Sequence, residues 1–160
     1  MTYRSGIGYD AHALVEGHSL ALGGISIPFE SGLAGHSDGD VLLHAIIDAL
    51  LGAAVMGDIG THFPSSNPDY KDIPSVLLLE DTRQMLAEGG WHILHVDATI
   101  VAERPRLQPF IDAMREKIAQ TLGLDKTAVS VKAKTTDGLG FTGRAEGIAT
   151  YAIATIQHTA

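Results

Sequence analysis

The run from Val41 to about Val55 constrains this chain more than any other stretch. Val41, Leu42, Leu43, Ala45, Ile46, Ile47, Ala49, Leu50 and Leu51 leave almost no polar face, and a helix apolar on nearly every side is buried. Asp40, His44 and Asp48 interrupt the run at i, i+4 and i+8, so they line up as one polar stripe. His44 and Asp48 also argue against a membrane span. Buried charge is costly unless it is paired or bound to a metal, so the rest of the chain has to account for that stripe. Upstream, His36-Ser37-Asp38-Gly39-Asp40 reads as a loop turning into the helix. Ser37 and Asp40 have the S-x-x-D spacing of a helix start, and Gly57 is the expected stop.

With 160 residues, 45% of them hydrophobic and 19% charged, the chain is expected to form a single domain, residues 1–160, with a core of its own. The net charge is −8 and no basic run occurs, so neither nucleic acid nor an anionic membrane is an expected partner. An anionic substrate would instead need metal ions or a few well-placed Arg and Lys. The absence of cysteine excludes disulfides, thiolate zinc sites and cysteine nucleophiles, and it suits a reducing cytoplasm. Met1 to Gly6 lacks the apolar core of a signal peptide, so a cytoplasmic location is expected.

Residues 3–9 predict a short, glycine-containing strand. Ser19–Leu22 and Ile25–Pro28 flank Gly23-Gly24 and predict a hairpin. After the buried helix, Asp58 to Tyr70 is rich in Pro, Ser and Asn and reads as a long loop of the lid or binding kind. Ser75 can cap a second helix that runs to Glu88 and stops at Gly89-Gly90. A strand is expected over Trp91–Ala102. A third helix follows Pro105 and Pro109, with Phe110, Ile111, Met114, Ile118 and Leu122 at helical spacing. Ala128–Lys134 alternates as a strand, Thr135–Gly147 is a Gly/Thr-rich loop, and Ile148–Gln157 is a closing strand. This order implies an α+β two-layer sandwich, with helices packed on one face of a mixed β-sheet.

Asp10-Ala11-His12 follows the first strand. In extended chain, residues two apart point the same way, which sets a carboxylate beside an imidazole. With His44 from the buried helix, the set offers one oxygen and two nitrogens. Three protein ligands with an open fourth position are the usual catalytic zinc arrangement, and Asp48 is placed to support the His44 ring. The plainer reading of His44 is a satisfied core histidine. Thr135-Thr136-Asp137-Gly138-Leu139-Gly140-Phe141-Thr142-Gly143-Arg144 offers freed backbone N–H groups, hydroxyls and a guanidinium suited to phosphate, with Asp137 as a carboxylate for Mg²⁺. A glycine-rich turn between strands is the simpler alternative. Gly6-Ile7-Gly8-Tyr9-Asp10-Ala11 matches a dinucleotide fingerprint, but no βαβ unit surrounds it; its glycines fit a strand passing close to other backbone. No G-x-S-x-G element or catalytic triad is present.

Taken together, these motifs resemble one family over nearly the whole chain. They are Gly8-Tyr9-Asp10-Ala11-His12, Gly23-Gly24 with Ile27-Pro28, His36-Ser37-Asp38-Gly39-Asp40 with His44, Asp48-Ala49-Leu50-Leu51-Gly52-Ala53, and Gly57-Asp58-Ile59-Gly60. Beyond them lie Phe63-Pro64, Ala102 with Pro105-Arg106-Leu107, and Gly140-Phe141-Thr142-Gly143-Arg144 with Glu146-Gly147. The chain resembles the 2-C-methyl-D-erythritol 2,4-cyclodiphosphate synthases of the non-mevalonate isoprenoid pathway.

That resemblance implies a homotrimer, its sheets assembled around a three-fold axis and its active sites at subunit boundaries. It implies that 4-diphosphocytidyl-2-C-methyl-D-erythritol 2-phosphate closes on itself to the cyclic diphosphate with release of CMP, a metal-dependent lyase reaction. Asp10, His12 and His44 match the zinc ligands, and Asp137 matches the carboxylate that binds Mg²⁺ or Mn²⁺. His36 and Ser37 match substrate contacts, and His36 and Thr135 match positions that stabilise the transition state. Asp58, Ile59 and Gly60 match a methylerythritol-binding segment, with Phe63 beyond it. Ala102 to Gln108, including Pro105, Arg106 and Leu107, matches a loop that holds the cytidine and its phosphates from the neighbouring subunit. Thr136, Phe141 and Arg144 match further binding positions, and Arg144 and Glu146 lie near an axial cavity proposed to take isoprenoid diphosphates.

Some positions depart from the family pattern. The lid reads Phe63-Pro64-Ser65-Ser66-Asn67, without the two acids common there. Asp137 stands where a longer Glu is frequent, and Glu103-Arg104 replaces a common Gln-Ala. Two other readings share parts of this pattern: a zinc-dependent phosphohydrolase, and a non-catalytic trimeric regulator that binds isoprenoid diphosphates.

Overall fold

The longest strand, β1 (Thr2–Glu16), runs antiparallel to β7 (Gly147–His158) in register from Thr2↔His158 to Ala13↔Gly147. In the computed structural model, which describes residues 1–159, this pair forms the centre of a five-stranded sheet. Its order is β4 (Ser31–Leu33), β1, β7, β5 (Trp91–Val101), β6 (Val129–Lys134). Only β5 and β6 are parallel, joined through the crossover helix α4 (Ile111–Leu122). A separate hairpin pairs β2 (Leu20–Leu22) with β3 (Ile25–Ile27). The result is the expected α+β arrangement, a mixed sheet with helices on one face.

Helix α1 (Val41–Ala54) lies directly on β1 and β7, flanked by α3 (Ser75–Glu88). Ile46, Ile47, Leu50 and Leu51 are fully buried, each worth about 1.5–3 kcal/mol of burial. The helix comes this close because β1 presents glycine to it. A Cβ on Gly6 would lie 2.1 Å from the Ala49 carbonyl oxygen, and one on Gly8 would lie 1.9 Å from that of Ala45. Alternation along the strand then sends Asp10 and His12 to the helix side, while Ile7 and Tyr9 face out.

On that outer face Ile7 pairs with Ile153 and Tyr9 with Tyr151. All four are exposed, with the tyrosine rings 4.9 Å apart. The Lys132–Asp97 ion pair lies on the same face, further across the sheet.

Several boundaries differ from expectation. β1 extends through Asp10 and His12 to Glu16, because backbone pairing to β7 and then β4 overrides the turn-like composition. α1 stops at Ala54, where Val55 takes the left-handed conformation. The long loop contains the one-turn helix α2 (Ile59–His62) and a 3₁₀ turn at Pro68–Tyr70. Ser75 is the first residue of α3 rather than its cap, and Pro74 at the N-cap position makes no side-chain capping bond; the Gly/Thr loop holds a single helical turn, α5 (Gly140–Gly143). Among the described residues, no helix is long and apolar enough to cross a membrane.

The polar stripe of α1 resolves into three different jobs. Asp40 caps the helix by accepting from Leu43 N at 3.1 Å, and it also accepts from Gly23 N at 3.0 Å and Gly24 N at 2.7 Å. Burial pushes its carboxyl up, against the pull of these three N–H donors. It therefore fastens the β2–β3 hairpin to the start of α1. Asp48 accepts from Ile59 N at 2.8 Å. His44 belongs to the site.

Candidate active site

The helix-side residues of β1 and the second turn of α1 meet at one point. His12 Nε2 lies 2.8 Å and His44 Nδ1 2.9 Å from the same Asp10 oxygen, Oδ2, and the two ring nitrogens are 3.3 Å apart. Tetrahedral ligands bonded to zinc at 2.0–2.1 Å sit about 3.3 Å from each other; the two ring nitrogens are at that separation, while the Asp10 oxygen lies at hydrogen-bond distance from both. These three are also the one group of potential ligand atoms found close together among the described residues. Burial alone would push the Asp10 carboxyl up. The two neighbouring imidazoles, His12 foremost, outweigh it and hold Asp10 well below the usual carboxylate range. His12 is raised by its hydrogen bond to Asp10, against burial, and the Ala34 carbonyl adds to the effect. An acidic oxygen and two inward-facing imidazoles, partly shielded from water, suit a divalent cation.

A cavity of about 290 Å³ opens above this cluster. It is lined by Asp10, His12, His36, Ser37, His44, Ile59, Gly60 and Phe63, together with Ser65, Tyr70 and Leu78. Eight of the residues singled out in the sequence are thus brought together. Phe63 stacks edge-on against Tyr70, with centroids 5.6 Å apart, and His36 is held by the Asn67 carbonyl at 3.1 Å. This fixes the lid against the cavity rim without the missing acids. Asp58 is turned away: its Oδ1 accepts from Thr61 N at 2.8 Å and Thr61 Oγ1 at 2.7 Å, capping α2.

The other expected residues lie elsewhere in the chain. Ala102, Pro105, Arg106, Leu107 and Thr135 line a second cavity of about 350 Å³, with Glu103, Arg104 and Lys134. It shares no lining residue with the first. One Glu103 carboxylate oxygen there is buried without a hydrogen-bond partner among the described residues. Thr136 Oγ1 donates to the Leu139 carbonyl at 2.5 Å. Asp137 sits at positive φ, with Thr135 Oγ1 donating to it at 3.2 Å. Arg144 pairs with Glu146 at 2.8 Å, and Phe141 is partly exposed.

Asp48 does not support His44. The outer nitrogen of that ring, Nε2, instead meets Ser75 Oγ at 2.9 Å and Ser37 Oγ at 3.0 Å. Asp48 is a full turn further along α1, where the α2 backbone takes its carboxylate. Ser75 and its partner Asp38, which binds both the Ser75 hydroxyl and its N–H, carried no local signal for this role, because 31 and 37 residues separate the paired groups.

An α+β layer with a carboxylate–bis-histidine centre at the floor of a cleft defines a candidate metal-binding enzyme. The chain belongs to the YgbB family, whose model matches residues 3–157. A 2-C-methyl-D-erythritol 2,4-cyclodiphosphate synthase of Moorella thermoacetica is 58% identical over 150 residues, 94% of this chain and 92% of that protein. The bifunctional IspDF of Campylobacter jejuni has a TM-score of 0.95 at 39% identity; the match covers 99% of this chain but only 43% of that one. IspF of Plasmodium falciparum, solved as a CDP complex, has a TM-score of 0.86 at 31% identity over 99% of this chain and 97% of its own.

Proposed function

We infer that this chain converts 4-diphosphocytidyl-2-C-methyl-D-erythritol 2-phosphate to 2-C-methyl-D-erythritol 2,4-cyclodiphosphate and CMP. The observation that carries the reading is the Asp10–His12–His44 centre at the floor of an open cavity, in a chain that aligns with such synthases over nearly its full length. The substrate's own 2-phosphate oxygen attacks the β-phosphorus, and the bond from that phosphorus to the bridging oxygen of CMP breaks. No protein nucleophile is required, in keeping with the absence of any cysteine or triad. Because the attack is intramolecular, positioning is the main task.

Zinc is the ion proposed for Asp10, His12 and His44, and Mg²⁺ or Mn²⁺ the ion for Asp137. When bound, they supply Lewis-acid polarisation of a phosphoryl oxygen and positive charge along the diphosphate. The remaining work falls to side chains. His36 and Ser37 stand on the rim of the first cavity, where an imidazole N–H and a hydroxyl can hold phosphate oxygens. Ile59, Gly60 and Phe63 give the methylerythritol an apolar wall, and Asp58 sets the α2 backbone that carries the first two. In the second cavity, Ala102 to Leu107 takes the cytidine, Arg106 supplies charge for its phosphates, and Thr135 offers a hydroxyl beside Thr136 and Asp137. Phe141 and Arg144 complete the second half.

Since the two cavities are separate in one chain, the complete site joins the first cavity of one subunit to the second of its neighbour. A homotrimer closed over the exposed sheet face bearing Ile7, Tyr9, Tyr151 and Ile153 accomplishes this. Such a patch of apolar side chains on a sheet is suited to an interface. Incubation with the cytidylyl substrate, Zn²⁺ and Mg²⁺, followed by phosphorus NMR, should give CMP and a cyclic diphosphate in equal amounts. A linear hydrolysis product, or no CMP, refutes the reading.

A further inference from the structure

We propose that Ser75, oriented by Asp38, is the positioning residue that fixes the tautomer of His44 and thereby aims its Nδ1 lone pair at the metal centre. The inference rests on the metal-centre reading above. Ser75 is fully buried and does not line the cavity, so it acts only through the ring.

The assignment follows from counting protons. Ser75 Oγ is 2.5 Å from Asp38 Oδ1, while Asp38 Oδ2 accepts from Ser75 N at 3.0 Å. A carboxylate accepts only, and a serine has one hydroxyl proton, so that proton points at Asp38. The lone pairs of Ser75 Oγ then face His44 Nε2 at 2.9 Å, and this nitrogen must be the donor. In the neutral ring Nδ1 is left bare. It faces Asp10 Oδ2 at 2.9 Å and His12 Nε2 at 3.3 Å. A lone pair aimed at a carboxylate oxygen is repulsive unless a cation lies between them. The Asp38–Ser75 pair therefore excludes the tautomer that would satisfy Asp10 directly and retains the one that binds metal.

Ser37 also reaches His44 Nε2, at 3.0 Å. Its other hydrogen bonds among the described residues are to Gly39 N at 3.4 Å and Ser75 Oγ at 3.3 Å. No carboxylate orients its hydroxyl, and it lines the cavity, so it remains free to turn toward substrate. Asp38 has a second role as well. Pro74 gives α3 no side-chain cap, and Asp38 Oδ2 accepts from the Ser75 N–H of the first turn in its place.

The test measures zinc affinity by chelator competition, and the His44 tautomer in metal-free protein by long-range proton–nitrogen NMR. Ser75→Ala should weaken zinc binding about 10–100-fold, with the His44 Nε2–H signature lost. Asp38→Asn, which lets the Ser75 hydroxyl reverse, should do the same. Ser37→Ala should leave both readouts near wild type. Unchanged affinity and tautomer in folded Ser75→Ala overturn the proposal, as does a larger loss in Ser37→Ala than in Ser75→Ala. Asp38→Asn also removes a helix cap, so Ser75→Ala alone decides. Neither measurement involves cyclisation, so a failed product assay would leave the result standing.

Discussion

Replacing Gly8 with alanine tests the joint on which the site depends. The added Cβ would sit 1.9 Å from the Ala45 carbonyl oxygen, 2.8 Å from the Ala45 carbonyl carbon and 2.9 Å from Ala49 N. All three are backbone atoms of α1, so no side chain can swing aside. Ordinary contact begins at 3.4 Å, and α1 must therefore retreat from β1 by about 1.5 Å. Gly8 is two residues before Asp10 on the strand, and Ala45 is next to His44 on the helix. The same retreat therefore pulls His44 away from Asp10 and His12. Metal sites tolerate deviations of only about 0.2 Å in ligand distance. Overpacking costs about 1–3 kcal/mol and sometimes more; a clash with rigid backbone belongs at or above the top of that range. Gly8→Ala should lose at least about 3 kcal/mol in denaturant unfolding and purify with little zinc. Gly52→Ala on the same helix is the control. Its Cβ meets nothing closer than 4.0 Å, and it should gain about 0.5–1 kcal/mol from helix propensity. If Gly8→Ala keeps full zinc occupancy and shifts stability by under about 1 kcal/mol, glycine at this joint is not what sets the ligand geometry.

Three further outcomes follow from the site and the sheet. In metal-free protein, Asp10 is depressed and His12 raised from their ordinary values of 3.8 and 6.5. Their mutual stabilisation is full between about pH 4 and 6.5, is lost as pH falls through the Asp10 value, and is lost again as pH rises through the His12 value. Thermal melts of wild type against His12→Gln should differ most in that window and converge above it; a pH-independent difference contradicts the pairing. Asp137→Ala should leave zinc content intact and blunt the response of turnover to added Mg²⁺, and an unchanged Mg²⁺ titration counts against its role. Ile153→Lys places a charge on the exposed face opposite Ile7 and should shift sedimentation from trimer to monomer while zinc binding persists; an unaltered sedimentation coefficient argues against that face as the interface.

What the sequence disclosed depended on the range of the interaction. The all-round apolar run of α1 announced its burial, and the period of two placed Asp10 beside His12. His44 was credible as a third ligand only once the resemblance was added, because nothing local says which strand a buried helix will meet. The structure supplies the reason in Gly6 and Gly8, whose missing side chains let α1 settle there. β4 is three residues long, too short to show periodicity. Asp48 shares a helix face with His44, yet the rise along α1 carries it to the Ile59 N–H instead. The Ser75–Asp38 contact spans 37 residues and is created entirely by the packing of α3 against the loop before α1.

The alternation of β1 has a consequence for how such a chain can vary in length. Residues 6, 8, 10 and 12 face the helix and the candidate metal site, while 7 and 9 face out, and pairing to β7 holds this phase from Thr2 to Ala13. Inserting or deleting one residue between Gly6 and His12 would invert the phase beyond it. A change before Tyr9 would turn Asp10 and His12 outward and drive the tyrosine toward the α1 backbone. A substitution on the open face leaves the helix side of the strand untouched, but a change of register in these seven positions alters both faces in a single event.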